Sequence, residues 1–134
     1  MSQKSVRGKT GEEHVCEYLS GLGWRIAERN YRIRGGEIDI IAEDDATIAF
    51  VEVKTRKSGS AFNGLEAMTK QKMRCIFRTA EHYLQKKPES GKLVRFDLAL
   101  VDVTTEDIPR VLDMEYMENA FDSSYLEFDT YLTY

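Results

Sequence analysis

Two short apolar segments, each with acidic residues among its hydrophobic ones, constrain the fold of this chain most. The segments EIDIIAE (37–43) and TIAFVEVKT (47–55) are rich in β-branched residues, and only three residues separate them. A link of this length joins neighbouring antiparallel strands in a hairpin. Because both segments are apolar on one face and mixed on the other, the hairpin is expected to lie in the middle of a sheet.

The register of this hairpin decides which charged side chains meet. A tight turn at the centre of the link places Asp39 opposite Glu52. By the same count Glu37 lies opposite Lys54, and side chains alternate along a strand, so Glu52 and Lys54 share one face. Two carboxylates about 5 Å apart repel by roughly 3 kcal/mol at an effective dielectric near 20. The facing acids are therefore expected only where a cation lies between them.

A divalent metal ion is the cation that these residues predict. Mg²⁺ and Mn²⁺ prefer oxygen ligands and keep several of their waters. Lys54 projects on the same side, where its ammonium group can orient water or stabilise charge on a phosphorus centre. The alternative is an ordinary exposed hairpin, on which a Glu–Lys pair contributes little to stability. The apolar neighbours of both acids favour the metal site, because charges in a central sheet need partners.

A first helix brings a third carboxylate toward this region. Thr10 is expected to cap the helix and Gly23 to end it. Val15 and Leu19 recur at helical spacing, and Glu12 lies on the same stripe. A carboxylate on the core side of a helix is unusual, and it makes Glu12 a candidate site residue.

The remaining segments define the fold class. A strand in WRIAERNYRI (24–33) precedes the hairpin, and a second helix is expected over residues 66–87. The segment LVRFDLALVDV (93–103) reads as a buried strand, with a last short strand over 110–115. This order predicts an α/β protein with a mixed central β-sheet flanked by α-helices.

Charge is divided unevenly along the 134 residues. Residues 1–96 carry 18 Lys or Arg and 13 Asp or Glu, whereas residues 97–134 carry one Arg and ten acids. A basic body can meet phosphates, although an ordinary solvated surface would look the same. The predicted nucleic-acid contacts are basic residues near the hairpin and on the second helix: Arg34, Arg56, Lys57, Lys70, Lys72, Arg74 and Arg78. No apolar run is long enough to cross a bilayer, so a cytoplasmic location is expected.

A resemblance to known families sharpens these expectations. The acid followed by Glu-x-Lys is similar to the PD-(D/E)xK nuclease superfamily. The longer string GEEHVCEYLSGLGWRIAERNYRIRGGEIDIIAEDDATIAFVEVKTR resembles the YraN-like family of small, uncharacterised bacterial proteins, as do TKQKMRCIFRTAEHYL, VRFDLALVDV and ENAF. The match covers roughly residues 7–121. It implies a restriction-endonuclease-like fold, with a single endonuclease-like domain over 1–122 and an acidic, aromatic extension over 123–134.

The resemblance also assigns roles residue by residue. Asp39 matches the first strand acid, and Glu52 and Lys54 match Glu-x-Lys. Glu12 matches the helix carboxylate of resolvase-like members, and Lys72 matches a basic position in the second helix. The implied activity is hydrolysis of DNA phosphodiester bonds, with branched or damaged structures as candidate substrates. Glu12, Asp39 and Glu52 would hold Mg²⁺ or Mn²⁺ while Lys54 positions water, and all four are predicted catalytic residues.

Three further alternatives stay open from the sequence. Fold does not establish catalysis, so the protein could bind nucleic acid without cutting it. It could also be an interaction partner in DNA recombination or uptake, with the acidic extension as its contact. By analogy with resolvase-like proteins, a homodimer is a further expectation.

Overall fold

A computed structural model describes residues 4–58, 68–87 and 91–124 of the chain. Their elements, in chain order, are α1 (Val6–Gly21), β1 (Arg25–Ile33), β2 (Gly36–Glu43), β3 (Thr47–Lys57), α2 (Lys70–Gln85), β4 (Leu93–Val103) and β5 (Val111–Met117). The five strands form one sheet in the order of the sequence, with β3 and β4 parallel and the other pairs antiparallel. The mixed α/β sheet predicted from the sequence is therefore confirmed.

The two helices cover opposite faces of this sheet. Parallel neighbours such as β3 and β4 need a crossover connection, and α2 lies within it. On one face α2 packs against a cluster that includes Ile38 and Phe50. On the other face α1 packs against a cluster that includes Ile40, Val51 and Val101. Central strands covered on both faces explain the nearly continuous apolar runs of the sequence.

Helix α1 begins earlier than the sequence pattern indicates. Its cap is Ser5, whose hydroxyl accepts a hydrogen bond from the Gly8 N–H at 3.0 Å. Thr10, the expected cap, lies inside the helix and donates its hydroxyl proton to the Val6 carbonyl. The first turn has no apolar periodicity, so the prediction placed the start too late. The end agrees, because Gly23 follows the helix with a φ of 96°.

Helix α2 and the last strand also differ from their predicted bounds. Thr69 caps α2 and accepts from the Lys72 N–H at 3.1 Å, so the helix begins at Lys70 rather than at 66. It ends at Gln85, and β5 continues to Met117. Most of the predicted loop after β3 and residues 125–134 of the C-terminal extension lie outside the described residues. None of the described helices is long and apolar enough to cross a bilayer.

The hairpin register agrees with the prediction near the turn and fails farther away. Ile40 lies opposite Val51, as the tight turn requires, but the ladder between β2 and β3 does not continue beyond this pair. Glu37 instead pairs with Arg32 on β1, so the expected pairing of Glu37 with Lys54 is wrong. The two strands part where the acidic residues begin, and this is what opens a site.

Candidate active site

The site lies where β2 and β3 separate, between the first turns of the two helices. Glu12 comes from α1, Asp39 from β2 and Glu52 from β3. Their exposed fractions are 4%, 5% and 6%. Buried carboxylates need compensating charge or hydrogen bonds, because removing them from water is costly.

Asp39 and Glu52 form the centre of the site. Asp39 Oδ2 accepts a hydrogen bond from the Val53 N–H at 2.8 Å. This bond replaces the backbone hydrogen bond that would continue the pairing of β2 with β3 beyond Ile40. The two carboxyl groups also share a hydrogen bond, so they lie side by side as the register predicted. Burial and the charge on Asp39 raise the pKa of Glu52. Burial opposes ionisation of Asp39 as well, but the bond from Glu52 and the nearby Lys4 ammonium lower its pKa. Asp39 is therefore the more acidic member of the pair.

Lys4, just before α1, supplies a cation to the other side of Asp39. Its Nζ lies 2.6 Å from Asp39 Oδ1 and 2.6 Å from Glu12 Oε2. A third acid, Glu37, contributes Oε1 at 3.5 Å. Burial raises the pKa of Glu12, and the acids around Lys4 raise the pKa of its ammonium group against the effect of burial. One lysine thus bridges carboxylates from α1 and β2.

Asn30 on β1 completes this acidic side. Its backbone has a φ of 52°, which is uncommon for a residue other than glycine. With its amide nitrogen turned toward the carboxylates, the side chain donates to Glu12 Oε1 at 3.2 Å and to Glu37 Oε1 at 3.1 Å. The left-handed backbone therefore lies directly beside the site, as strained backbone often does.

Two lysines occupy the opposite side of the pair. Lys72 Nζ, from the first turn of α2, lies 2.6 Å from Glu52 Oε2. Burial and a hydrogen bond to the Lys72 ammonium lower the pKa of the half-buried Lys54. The Lys72 ammonium is therefore the charged partner of the buried Glu52 Oε2.

Asp39 lies between the other two carboxylates: it is joined to Glu12 through Lys4 and is hydrogen-bonded to Glu52. In the part of the chain that the structure describes, no three acidic, His or Cys side chains are arranged to hold a metal ion as they stand. Their chemistry nevertheless fits a hard divalent cation, because all three offer oxygen donors from a buried site. Glu12, Asp39 and Glu52 are the residues that could hold Mg²⁺ or Mn²⁺.

A basic cleft opens next to the acids at the start of α1. It has a volume of about 340 Å³ and is lined by α1 and by the end of β3. Glu12 is the one acid among its lining residues; the basic ones are Lys4, Arg7, Lys54, Arg56 and Lys57. Such a concentration of cations beside buried carboxylates suits a phosphodiester group, which needs cations for its oxygens.

The structure separates the predicted nucleic-acid contacts into groups. Arg56 and Lys57 line the cleft, where Arg56 also pairs with Asp102. Lys72 lies inside the acidic site itself. Arg78 donates to the Gly35 carbonyl at 3.1 Å and ties α2 to the β1–β2 turn. The remaining three are exposed residues that do not line the cleft: Arg34, Lys70 and Arg74.

Three residues that the structure brings to the site or its cleft were not predicted from the sequence: Lys4, Arg7 and Asn30. Lys4 and Arg7 precede the first periodic apolar residue, so no pattern singled them out. The contact between Lys4 and Asp39 spans 35 positions of sequence. Asn30 carried no signal beyond the general tolerance of asparagine for left-handed backbone. Glu37 was recognised as a strand acid but was assigned the wrong partner.

The mixed sheet, with a helix on each face and buried acids where two central strands part, defines an α/β protein. Its arrangement is consistent with the restriction-endonuclease-like class. Over residues 11–101 the chain matches the model of the uncharacterised protein family UPF0102. The chain belongs to this family, which confirms the resemblance to an uncharacterised bacterial family.

Relatives from several bacteria match nearly the whole chain. A UPF0102 protein of Persephonella marina is 42% identical over 120 residues, which are 90% of this chain and 97% of that protein. One from Chlorobium phaeobacteroides is 43% identical over 117 residues, 85% and 92% of the two chains. One from Caldicellulosiruptor saccharolyticus is 40% identical over 118 residues, 88% and 98% of the two chains. The family model includes Glu12, Asp39, Glu52, Lys54 and Lys72, whereas Lys4 lies before its first matched residue.

Proposed function

We propose that this protein is a cytoplasmic nuclease that hydrolyses phosphodiester bonds of DNA with Mg²⁺ or Mn²⁺. The observation that supports the proposal most is the buried Asp39–Glu52 pair, which has a lysine ammonium group on each side. Two acids at neighbouring positions of a sheet repel each other, and binding of a ligand accounts for their placement. Lysines and arginines line the adjacent cleft, where a phosphate group can approach the acids.

The roles of the side chains follow from their positions. Glu12, Asp39 and Glu52 would hold the cation, which when bound lowers the pKa of a coordinated water and neutralises charge on the phosphate. Lys54 lines the cleft and would stabilise the negative charge that develops on the phosphoryl oxygens. Lys72 contacts Glu52 and would keep that carboxylate oriented. Branched or damaged DNA is the candidate substrate, and a homodimer remains part of the proposal by analogy alone.

Replacing Glu52 tests this proposal directly. The protein and its Glu52→Gln variant are incubated with four-way-junction, nicked and linear DNA in Mn²⁺, and the products are separated by gel electrophoresis. Because glutamine keeps the shape but loses the charged oxygen, we expect the variant to fold normally. We expect cleavage to fall by about two orders of magnitude or more. The exposed Glu106→Gln serves as the matched control and keeps full activity. Equal cleavage by wild type and Glu52→Gln would refute the assignment.

A second function, binding of nucleic acid without cleavage, is favoured by one specific observation. Lys4 and Lys72 already neutralise the carboxylates, so the acidic site is balanced without any metal. A thermal-shift titration with Mn²⁺ distinguishes the nuclease from the non-cleaving binding protein, since a ligand that binds the native state raises the melting temperature of the protein. A rise that disappears in Glu52→Gln supports the nuclease. DNA binding without any such rise supports the second function.

A further inference from the structure

The contacts of Lys4 carry an inference that rests on the proposed function and concerns its regulation. We propose that the Lys4 ammonium is an internal counter-cation that holds the acidic site in the metal-free protein. A divalent cation must displace it from Glu12 and Asp39 in order to bind. Lys4 is then an autoinhibitory residue of the metal site.

The geometry of the ammonium group is that of a cation in a binding site. Its Nζ is at 2.6 Å from one oxygen of Asp39 and from one oxygen of Glu12, so these two oxygens lie within twice that distance of each other. Glu37 lies at 3.5 Å from the same nitrogen. Three carboxylates from two elements, α1 and β2, therefore converge on one ammonium group, and a metal ion held by Glu12 and Asp39 would need the same space.

The surroundings of Lys4 indicate that the contact can be exchanged. The side chain is 24% exposed, whereas those of Glu12 and Asp39 are 5% and 7% exposed. It lies one residue before the Ser5 cap, so its movement does not break a hydrogen bond of α1. Lys4 also lines the basic cleft. Once released from the acids, its ammonium group could contact a phosphate bound in that cleft. The two acids are buried in the core, whereas the partly exposed Lys4 side chain can move away from them.

The matched substitution Lys4→Met tests the proposal through metal affinity. Binding of Mn²⁺ is followed by electron paramagnetic resonance of the free ion in wild type, Lys4→Met and Lys9→Met, all as full-length chains. Lys9 is an exposed lysine of α1 outside the acidic site. A site that is open in at most about a tenth of the molecules gains at least about tenfold in affinity when the competitor is removed. We expect this gain in Lys4→Met and wild-type affinity in Lys9→Met.

The other outcomes separate this inference from the proposed function. Equal Mn²⁺ affinity in wild type and Lys4→Met overturns the inference and leaves the metal site standing. No Mn²⁺ binding in any of the three proteins overturns both. Lys4→Met leaves Glu12 and Asp39 facing each other, so its melting temperature is expected to fall without metal and to recover in Mn²⁺.

Because that variant could be too unstable to purify, the unmodified protein provides a second measurement. Nitrogen-15 NMR of the lysine ammonium groups detects those held in ion pairs, because their protons exchange slowly. In the presence of chelator we expect such signals from Lys72 and from Lys4, and the Lys4 signal is identified by its loss in Lys4→Arg. It should disappear or move to the position of a solvated lysine when Mg²⁺ is added. If Mg²⁺ binding shifts other signals in the spectrum and the Lys4 signal stays unchanged, the inference is overturned.

Discussion

At the scale of single residues, Asp97 shows how this protein accommodates a buried charge that has no part in the site. The side chain is fully buried on β4. It accepts two hydrogen bonds from Arg95, one from the Tyr116 hydroxyl at 2.6 Å and one from the Asn119 N–H at 2.9 Å. With every lone pair occupied, this carboxylate is structural. Glu52 is the contrasting case, because its buried carboxyl group contacts a second acid, Asp39, and a lysine of the site.

Tyr116→Phe is expected to destabilise the protein in a pH-dependent manner. The variant loses a hydrogen bond to a charged acceptor, which costs about 1.5–3 kcal/mol in unfolding free energy at neutral pH. Burial and the Asp97 carboxylate raise the pKa of Tyr116 above its ordinary value of 10.0. Below pH 10 both states keep the proton, and above it the unfolded chain ionises first, so the wild type loses stability as the pH rises. Urea unfolding between pH 7 and 11 should show the difference between the two proteins narrowing above about pH 10.

Tyr83→Phe is the matched control, and its predicted effect has the opposite sign. Tyr83 is buried on α2, and its hydroxyl has no hydrogen-bond partner among the described residues. Removing an unpaired buried hydroxyl is expected to leave the unfolding free energy unchanged or to raise it by about 1 kcal/mol. If both phenylalanine variants lost stability equally, the hydroxyl of Tyr116 could not be the cause.

At the scale of elements, the position of α1 on the sheet depends on a glycine. A Cβ at Gly11 would lie 2.2 Å from Thr55 Oγ1 on β3, and the other side-chain atoms of Thr55 are within 3.4 Å. Rotation of the threonine side chain would move Oγ1, but the Thr55 Cβ would still be 3.3 Å from the added methyl group. Because Glu12 is the next residue, the close approach of α1 to β3 also places that carboxylate beside Asp39. The glycine serves both the packing and the site.

Gly11→Ala and Gly21→Ala are therefore expected to have opposite effects within one helix. Overpacking against Thr55 costs about 1–3 kcal/mol, which outweighs the roughly 1 kcal/mol by which alanine favours a helix. No atom lies within 4 Å of a Cβ at Gly21, so alanine there should stabilise by up to about 1 kcal/mol. Thermal unfolding of both variants measures the difference. The double variant Gly11→Ala/Thr55→Ala should recover part of the loss, and no recovery would contradict the proposed clash.

The elements also show which features a sequence of this kind reveals. The hairpin register and the buried position of Glu12 both follow from local spacing. The structure agrees with the register near the turn and with the burial of Glu12. The separation of β2 from β3 beyond Ile40 does not follow from spacing, because it depends on Asp39 accepting a bond from the Val53 N–H. The cation at Lys4 could not be predicted either, since contacts between distant segments leave no periodic signal. Local pattern thus identified the acids, the family resemblance pointed to Lys72, and Lys4 was missed.

At the scale of the whole molecule, charge is segregated in space as well as in sequence. Cations gather in the cleft between α1 and the end of β3. The acids that the structure describes after residue 96 lie on β4, on β5 and in the segments next to them, and one of them, Asp102, pairs with Arg56 at the edge of the cleft. A polyanion approaching this protein is attracted to the cleft and repelled from the β5 side. The direction of approach is therefore the one that brings a phosphate to the carboxylates.

Lys57→Gln should weaken DNA binding in a salt-dependent manner if the cleft holds the backbone. Each phosphate contact contributes about one unit to the slope of log K against log salt concentration, because counterions are released. We expect the slope to fall by about one for Lys57→Gln and to stay unchanged for Lys87→Gln, an exposed lysine beyond the other end of α2. Fluorescence anisotropy of labelled duplex DNA in chelator measures binding without cleavage. Equal slopes for both variants would place the DNA on another surface, whereas a loss confined to Lys57 would show that the cleft binds phosphate before any metal is present.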